Sequence, residues 1–409
     1  MNTSYAKRWA RLWLLILLFD VCCLSLCAAQ GAVPLLPPVR IGVLSDLSSI
    51  YSSIGGKGLI DAARMAVEDF SGRVNGRSIE LLTFDTENKV DRASTKARQW
   101  FDEDGVEMIT DLPTSGIAIA VSQLARQKKK IVMITSAGAS DLTGKDCSPY
   151  SVHWTYDTYA LAAGTARALV RDGGKSWFFV SAGLAFGEAL ERDATQVIRT
   201  EGGTVIGGVR HPFGASDFSS PLLQASGAQA SIIALANAGQ DMQASVKQAR
   251  EFKVTQGGTR VAALLAFITD VRGLGLEAAQ GLYLTEAFYW DMNEETRAWS
   301  KRFYGRNGSM PTMNQAGTYG AVRHYLKALE LSQSSDAERV MEKIKELRIN
   351  DFMTRQGIVR SDGRVLRDMY LFQVKSPAES NNEWDLYKPV AVIPAANAFR
   401  PLSQGGCVF

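Results

Sequence analysis

The chain has 409 residues, 46% of them hydrophobic, with 45 Lys and Arg against 42 Asp and Glu. A formal charge of +3 gives no electrostatic case for nucleic acid or for an anionic membrane surface. The length exceeds one ordinary core and suffices for two α/β domains.

Lys7, Arg8 and Arg11 precede an apolar run from Leu12 to Cys27, and small residues follow at Cys27, Ala28 and Ala29. This is the n-region, h-region and cleavage-region order of a secretory signal, which predicts a leader over 1–29 cleaved near Ala29. Asp20 interrupts the run, against a permanent span of about 20 uninterrupted apolar residues, although a retained anchor is the alternative. Leu24-Ser25-Leu26-Cys27 loosely resembles a lipobox, with Leu26 bulkier than that motif normally allows. Without the leader, 42 basic and 41 acidic side chains remain, and no later apolar run is long enough to span a bilayer.

The segment Val39 to Phe70 predicts a strand (Val39 to Leu44), a loop rich in Ser and Gly, and an amphipathic helix. Such a loop at the carboxyl end of a strand offers N–H groups, hydroxyls and a helix N-terminus, where open α/β sheets bind small ligands. An exported chain that opens this way suggests capture more than catalysis.

Further strands are predicted at Ile79–Phe84, Glu107–Asp111, Ile131–Thr135, Trp177–Ser181, Thr204–Val209, Ala230–Leu235, Ala262–Phe267 and Leu282–Thr285. Helical periodicity fills the gaps, so βαβ units on parallel sheets follow, run once from Val39 to about Tyr156 and again from about Asp157 to Leu284. More helices come next, then a late strand, Met369–Val374. The tail from Lys375, rich in Pro, Ala and Asn, is expected to be irregular and to wrap the surface.

Enzyme signatures are missing. No GxGxxG follows the first strand, Gly55-Gly56-Lys57-Gly58 fails the phosphate-loop spacing, and there is no G-x-S-x-G elbow. His153, His211 and His324 are far apart and out of metal-ligand spacing, so no catalytic residue, metal or cofactor is expected.

What recurs is small polar residues after strands: Asp46 to Ser53 (with Ser49), Pro113-Thr114-Ser115-Gly116, Ser136 to Ser140, Asn237-Ala238-Gly239-Gln240, and Thr269-Asp270. Hydroxyls and free N–H groups there can hold a carboxylate without a full counter-charge. Each alone is an ordinary cap or turn; five such edges together are not. Tyr51, Tyr156, Phe186, Phe288, Tyr289 and Trp290 lie near these edges and could wall an apolar ligand. Cys147 and Cys407, the two cysteines beyond the leader, either pair across a long loop or stay as buried thiols.

From Val39 to about Val374 the chain resembles the branched-chain amino acid type of periplasmic solute-binding protein that feeds ABC importers. The markers are IGVLSDLSS with its following helix, IVMITSAGASDLT, FGEALERDATQVIRTEGGTV and QGLYLTEAFYWD, in that order. The resemblance implies the type I fold, α/β with two doubly wound parallel-sheet lobes joined by crossover strands. Lobe 1 would be 39–156 plus 286–366, lobe 2 157–285 plus 367–390, and 391–409 a C-terminal tail. It implies that Thr114 and Ser115 hold a ligand carboxylate, as do Gly138, Ala139 and Ser140. Phe186 falls on an aromatic position, usually Tyr, and Ala238 near another. Asp270 lies near an acidic position that receives the ammonium in amino acid binders. Two absent tyrosines and the displaced acid favour an aromatic or other small organic acid. A branched-chain or other amino acid, an amide or urea is the alternative, and a sensor with the same fold is a further one. The implied setting is a periplasmic monomer that delivers its ligand to ABC permease subunits in the inner membrane.

Overall fold

The structure, a computed structural model, describes residues 36–409, so the predicted leader lies outside the described residues. The first βαβ run comprises β1 (Val39–Ser45), α1 (Gly56–Glu68), β2 (Arg73–Val74), β3 (Arg77–Asp85), α2 (Val90–Asp102), β4 (Val106–Asp111), α3 (Ser115–Lys128), β5 (Ile131–Ile134) and β6 (Ser151–His153). Its strands form one sheet in the order β2-β3-β1-β4-β5-β6, parallel apart from the β2–β3 hairpin. Ile41, Val43, Met108 and Met133 pack on one face, and Leu44, Ile109, Val132 and Ile134 on the other. Both faces are therefore covered, which is why these strands read as continuous apolar runs.

A helical stretch from Thr158 to Arg171, with a π turn at Ala162–Ala166, leads into the second run. This holds β7 (Ser176–Ala182), α4 (Ala185–Thr200), β8 (Thr204–His211), α5 (Ser219–Gly227), β9 (Ile232–Ala236), α6 (Gly239–Glu251), β10 (Arg260–Ala263) and α7 (Ile268–Leu274). Its strands form a second, all-parallel sheet in the order β10-β9-β7-β8. There follow β11 (Tyr283–Glu286), α8 (Glu294–Asn307), α9 (Met313–Ser332), α10 (Ala337–Glu346), β12 (Ile358–Val359), β13 (Val365–Leu366), β14 (Met369–Val374) and β15 (Tyr387–Ile393). The order β11-β14-β15 makes a small antiparallel sheet.

Two expectations change. The strand predicted over Ala262–Phe267 ends at Ala263, because the Asp270 carboxylate accepts the Phe267 N–H at 3.0 Å and starts α7 there. The tail is not irregular throughout: β15 pairs antiparallel with β14, and the tail boundary drawn at 390/391 falls inside it. Pro389 obscured this strand, and it is tolerated because β15 is an edge. Beyond it, Cys407 is joined to Cys147 in a disulfide with Cα atoms 5.7 Å apart. Arg400 Nη2 donates to the Ser140 carbonyl at 2.9 Å, tying the tail to the same loop.

Candidate functional site

A cleft of about 830 Å³, solvent at its mouth included, opens at the carboxyl ends of β1, β4 and β5. The first run contributes Ser45, Asp46, Tyr51, Asp111, Thr114, Ser115, Ser136, Gly138 and Tyr156. The second contributes Leu184, Ala185, Phe186, Phe213, Ala238 and Phe267, and Asn314 at the start of α9 closes one side. No Lys, Arg or His is among the described residues that line it.

Helix N-termini take the place of cations. α1 begins at the lining residues Gly55 and Gly56, α3 at Ser115, α4 at Ala185, and α6 just after Ala238. In α3 the Thr114 hydroxyl accepts the Ile117 N–H and the Thr114 carbonyl accepts that of Ala118, which leaves the N–H groups of Ser115 and Gly116 for a ligand. In α4 the first bond is from the Glu188 N–H to the Leu184 carbonyl, which leaves Ala185, Phe186 and Gly187. Each of these ends carries a partial positive charge.

Asp46 organises the loop after β1. Its carboxylate accepts the N–H groups of Ser49 and Tyr51, both at 2.8 Å, and Asn88 Nδ2 at 2.6 Å. The Tyr51 ring meets Phe213 edge-on at 5.5 Å, and burial pushes its phenol well up. Tyr156 donates its hydroxyl to the Ser136 carbonyl at 2.6 Å, and burial raises its phenol too. Gly138 lies between rings: a Cβ there would stand 2.8 Å from Tyr156 and 3.0 Å from Phe186.

Of the residues singled out from sequence, Tyr51, Thr114, Ser115, Gly138, Tyr156, Phe186 and Ala238 line the cleft, together with Asp46, Pro113, Gly116, Ser136 and Ala137 of the same polar edges. Other candidates do not. Ser49 sits behind Asp46, its hydroxyl bonded to Asn88. The Ala139 and Ser140 N–H groups are already held by the hydroxyls of Ser115 and Thr158, each at 3.1 Å, so they brace the loop and present no donor to a ligand. The Ser140 hydroxyl faces Arg192. Asn237 is buried against His211 and Ser245. Asp270 caps α7 and accepts from Gln243 at 2.7 Å, with its carboxyl pushed up to about 6 by burial. Phe288 packs on Trp299 and Phe352, while Tyr289 and Trp290 both donate to the Trp384 carbonyl. Phe288 and Tyr289 thus belong to the core, Trp290 packs against it, and none of the three is among the residues that line the cleft.

Sequence reasoning passed over Asp111, Ser45, Phe213, Phe267 and Asn314. Asp111 has a visible signal, being the last residue of a strand directly before Leu112-Pro113-Thr114-Ser115. It is fully buried, in a left-handed conformation with φ 77°. Burial pushes its carboxyl up to about 7; the neighbouring Ser136 and Ser45 hydroxyls act the other way, and Asp46 adds to the rise. Those hydroxyls flank the carboxyl but make no well-formed hydrogen bond with it.

Among the described residues no group of three His, Cys, Asp or Glu is placed to hold a metal, and no helix is long and apolar enough to cross a membrane.

A family model of periplasmic binding proteins matches residues 38–381. A periplasmic binding protein from Burkholderia mallei is 46% identical, covering 90% of this chain and 98% of its own, with a TM-score of 0.89. A branched chain amino acid ABC transporter periplasmic ligand-binding protein from Burkholderia xenovorans LB400 is 38% identical over 90% and 99%, with a TM-score of 0.81. A solute binding protein of an ABC transporter from Rhodopseudomonas palustris BisB5, solved with 3,4-dihydroxy benzoic acid, shares the fold at 17% identity over 88% and 98%, with a TM-score of 0.78. No curated protein sequence matches the chain. With two sheets of doubly wound topology and a cleft at their carboxyl edges, the chain belongs to the type I periplasmic binding proteins of ABC transporters.

Proposed function

We propose that this protein captures a small organic acid, with an aromatic or other apolar body, and delivers it to an ABC importer. The observation that carries the reading is the convergence of four helix N-termini on a cleft walled by Tyr51, Tyr156, Phe186 and Phe213 and free of basic side chains. N–H groups and hydroxyls at Thr114, Ser115 and Gly116 hold the carboxylate; the rings hold the body. Lobe 1 (39–156 with 286–366) and lobe 2 (157–285 with 367–390) close on the ligand by a hinge motion, for which periplasmic binding proteins are a standing example. Closure excludes water and strengthens the hydrogen bonds to the acid. The closed form is then what the permease recognises. No bond is made or broken, so the protein is a carrier and no enzyme. It acts in the periplasm as a monomer, after removal of the leader near Ala29.

An amino acid is the second reading. It is favoured by the name of the Burkholderia xenovorans relative and by the buried Asp111 carboxyl in the cleft.

Thermal shift against aromatic acids, aliphatic acids, amino acids, amides and urea tests the choice. A ligand at 100 times its Kd adds about 2.7 kcal/mol of stability. Stabilisation by acids supports the first reading; stabilisation by amino acids or amides alone replaces it. Turnover of any compound in the panel would sink the carrier reading altogether.

A further inference from the structure

Two carboxyl groups line the cleft, and their situations are opposite. Asp46 is satisfied by three donors, the Ser49 and Tyr51 N–H groups of its own loop and Asn88 Nδ2 from the loop after β3. Asp111 is fully buried, and among the described residues neither of its oxygens has a hydrogen-bond partner. The hydroxyls of Ser45 and Ser136 and the Asn314 Oδ1, all from lining residues, are likewise buried and unpartnered. Native proteins rarely leave so many buried polar atoms unmet in one place. The Asp111 backbone is also held at φ 77° and that of Leu112 at φ 66°, a region where non-glycine residues are uncommon and which clusters at binding sites. A ligand that offers only a carboxylate leaves Asp111 unpaired and sets a like charge near it. A ligand that also carries a donor meets the need.

We propose that Asp111 receives a hydrogen-bond donor of the ligand, so that the captured acid bears an N–H or O–H group beside its carboxylate. This rests on the reading of the cleft as an acid-binding site. The acid group takes the α3 N-terminus, and the donor reaches the floor between Ser45 and Ser136. The donor is either an ammonium or a hydroxyl, and matched pairs of compounds separate the two.

The pairs are L-leucine against 4-methylpentanoate, L-phenylalanine against 3-phenylpropionate, and 4-hydroxybenzoate against benzoate. Each is titrated calorimetrically into the wild type, Asp111→Gly and Asp111→Asn. Glycine accepts positive φ freely and Asn tolerates it, so both variants keep the backbone, which a thermal melt verifies. In at least one pair the donor-bearing member is expected to bind about 10- to 100-fold tighter. Asp111→Gly should shrink that ratio to about threefold or less, and the part that supports the assignment is the weaker binding of the donor-bearing member. Loss in Asp111→Asn as well points to an ammonium, since the amide keeps an acceptor but no charge; partial retention points to a hydroxyl. Equal affinities within every pair, or a ratio untouched by Asp111→Gly, overturns the assignment. So does a donor-free acid that binds more tightly as pH falls through the titration of Asp111, since the carboxyl is then the donor; Asp46 and Tyr156 are the other ionisable groups facing it. If no acid binds but acetamide or urea does, and Asp111→Gly abolishes that, the role of Asp111 stands and the acid reading fails.

Discussion

Gly239, the first residue of α6, lies against Tyr51 in the loop after β1: a Cβ on Gly239 would stand 2.8 Å from the ring Cδ1 and 3.1 Å from the Ile50 carbonyl oxygen. The loops of two separate sheets thus meet without a gap, at a backbone φ of 59° that favours glycine. Gly239→Ala is expected to cost about 1 kcal/mol of stability through strain. It should also weaken ligand binding about tenfold by wedging the cleft open, an effect of about 1.4 kcal/mol. Calorimetry beside a melting curve checks both; a lower melting point with unchanged affinity would separate Gly239 from closure.

Phe186 and Gly138 form the opposite wall, where the ring fits only because Gly138 has no side chain. Phe186→Ala should weaken an aromatic ligand by about 1 kcal/mol or more, from lost ring contact, and an aliphatic ligand less. Gly138→Ala should act in the same direction by displacing the ring. Competition binding with one aromatic and one aliphatic acid reads the difference.

Asp111 makes stability depend on pH. Its folded carboxyl, pushed up to about 7 against an ordinary 3.8, keeps its proton where the unfolded chain has lost it. Stability therefore falls as pH climbs from near 3.8 to near 7 and is level above that. Asp111→Asn removes this slope, so its advantage over the wild type should be close to nil in acid and grow to at most about 4 kcal/mol above neutrality. Asp270, pushed up to about 6, adds a slope that both proteins share. Urea unfolding across that range is the measurement, and a pH-independent difference would show that Asp111 pays no desolvation cost.

The disulfide closes a loop across 260 residues of sequence. Cys407→Ser is expected to lower stability by about 2–4 kcal/mol. The segment after β15 should then become the first site of limited proteolysis. Equal resistance in the variant would mean that Arg400 and its bond to Ser140 suffice to hold the tail.

The fold was legible because parallel strands buried on both faces leave long apolar runs, as in β1, β4 and β5. The late strand β15 was hidden by Pro389 and by four exposed residues in a row. Cleft-lining residues at the starts of helices, such as Thr114 and Ser115, could be placed from strand ends alone. Distance in three dimensions could not: Phe288 and Asp270 follow strands as Phe186 does, yet one enters a packed aromatic group and the other caps α7. Asp111 was passed over because a strand-terminal acid reads as an ordinary turn former, and its φ of 77° is invisible in sequence.

The tail also bears on how the protein matures. Cys407 and Arg400 both grip the loop that carries Gly138, so the segment after β15 braces one wall of the cleft. Oxidation of Cys147 and Cys407 should therefore stiffen that wall. The reduced chain should then be a poorer binder than the same chain after oxidation.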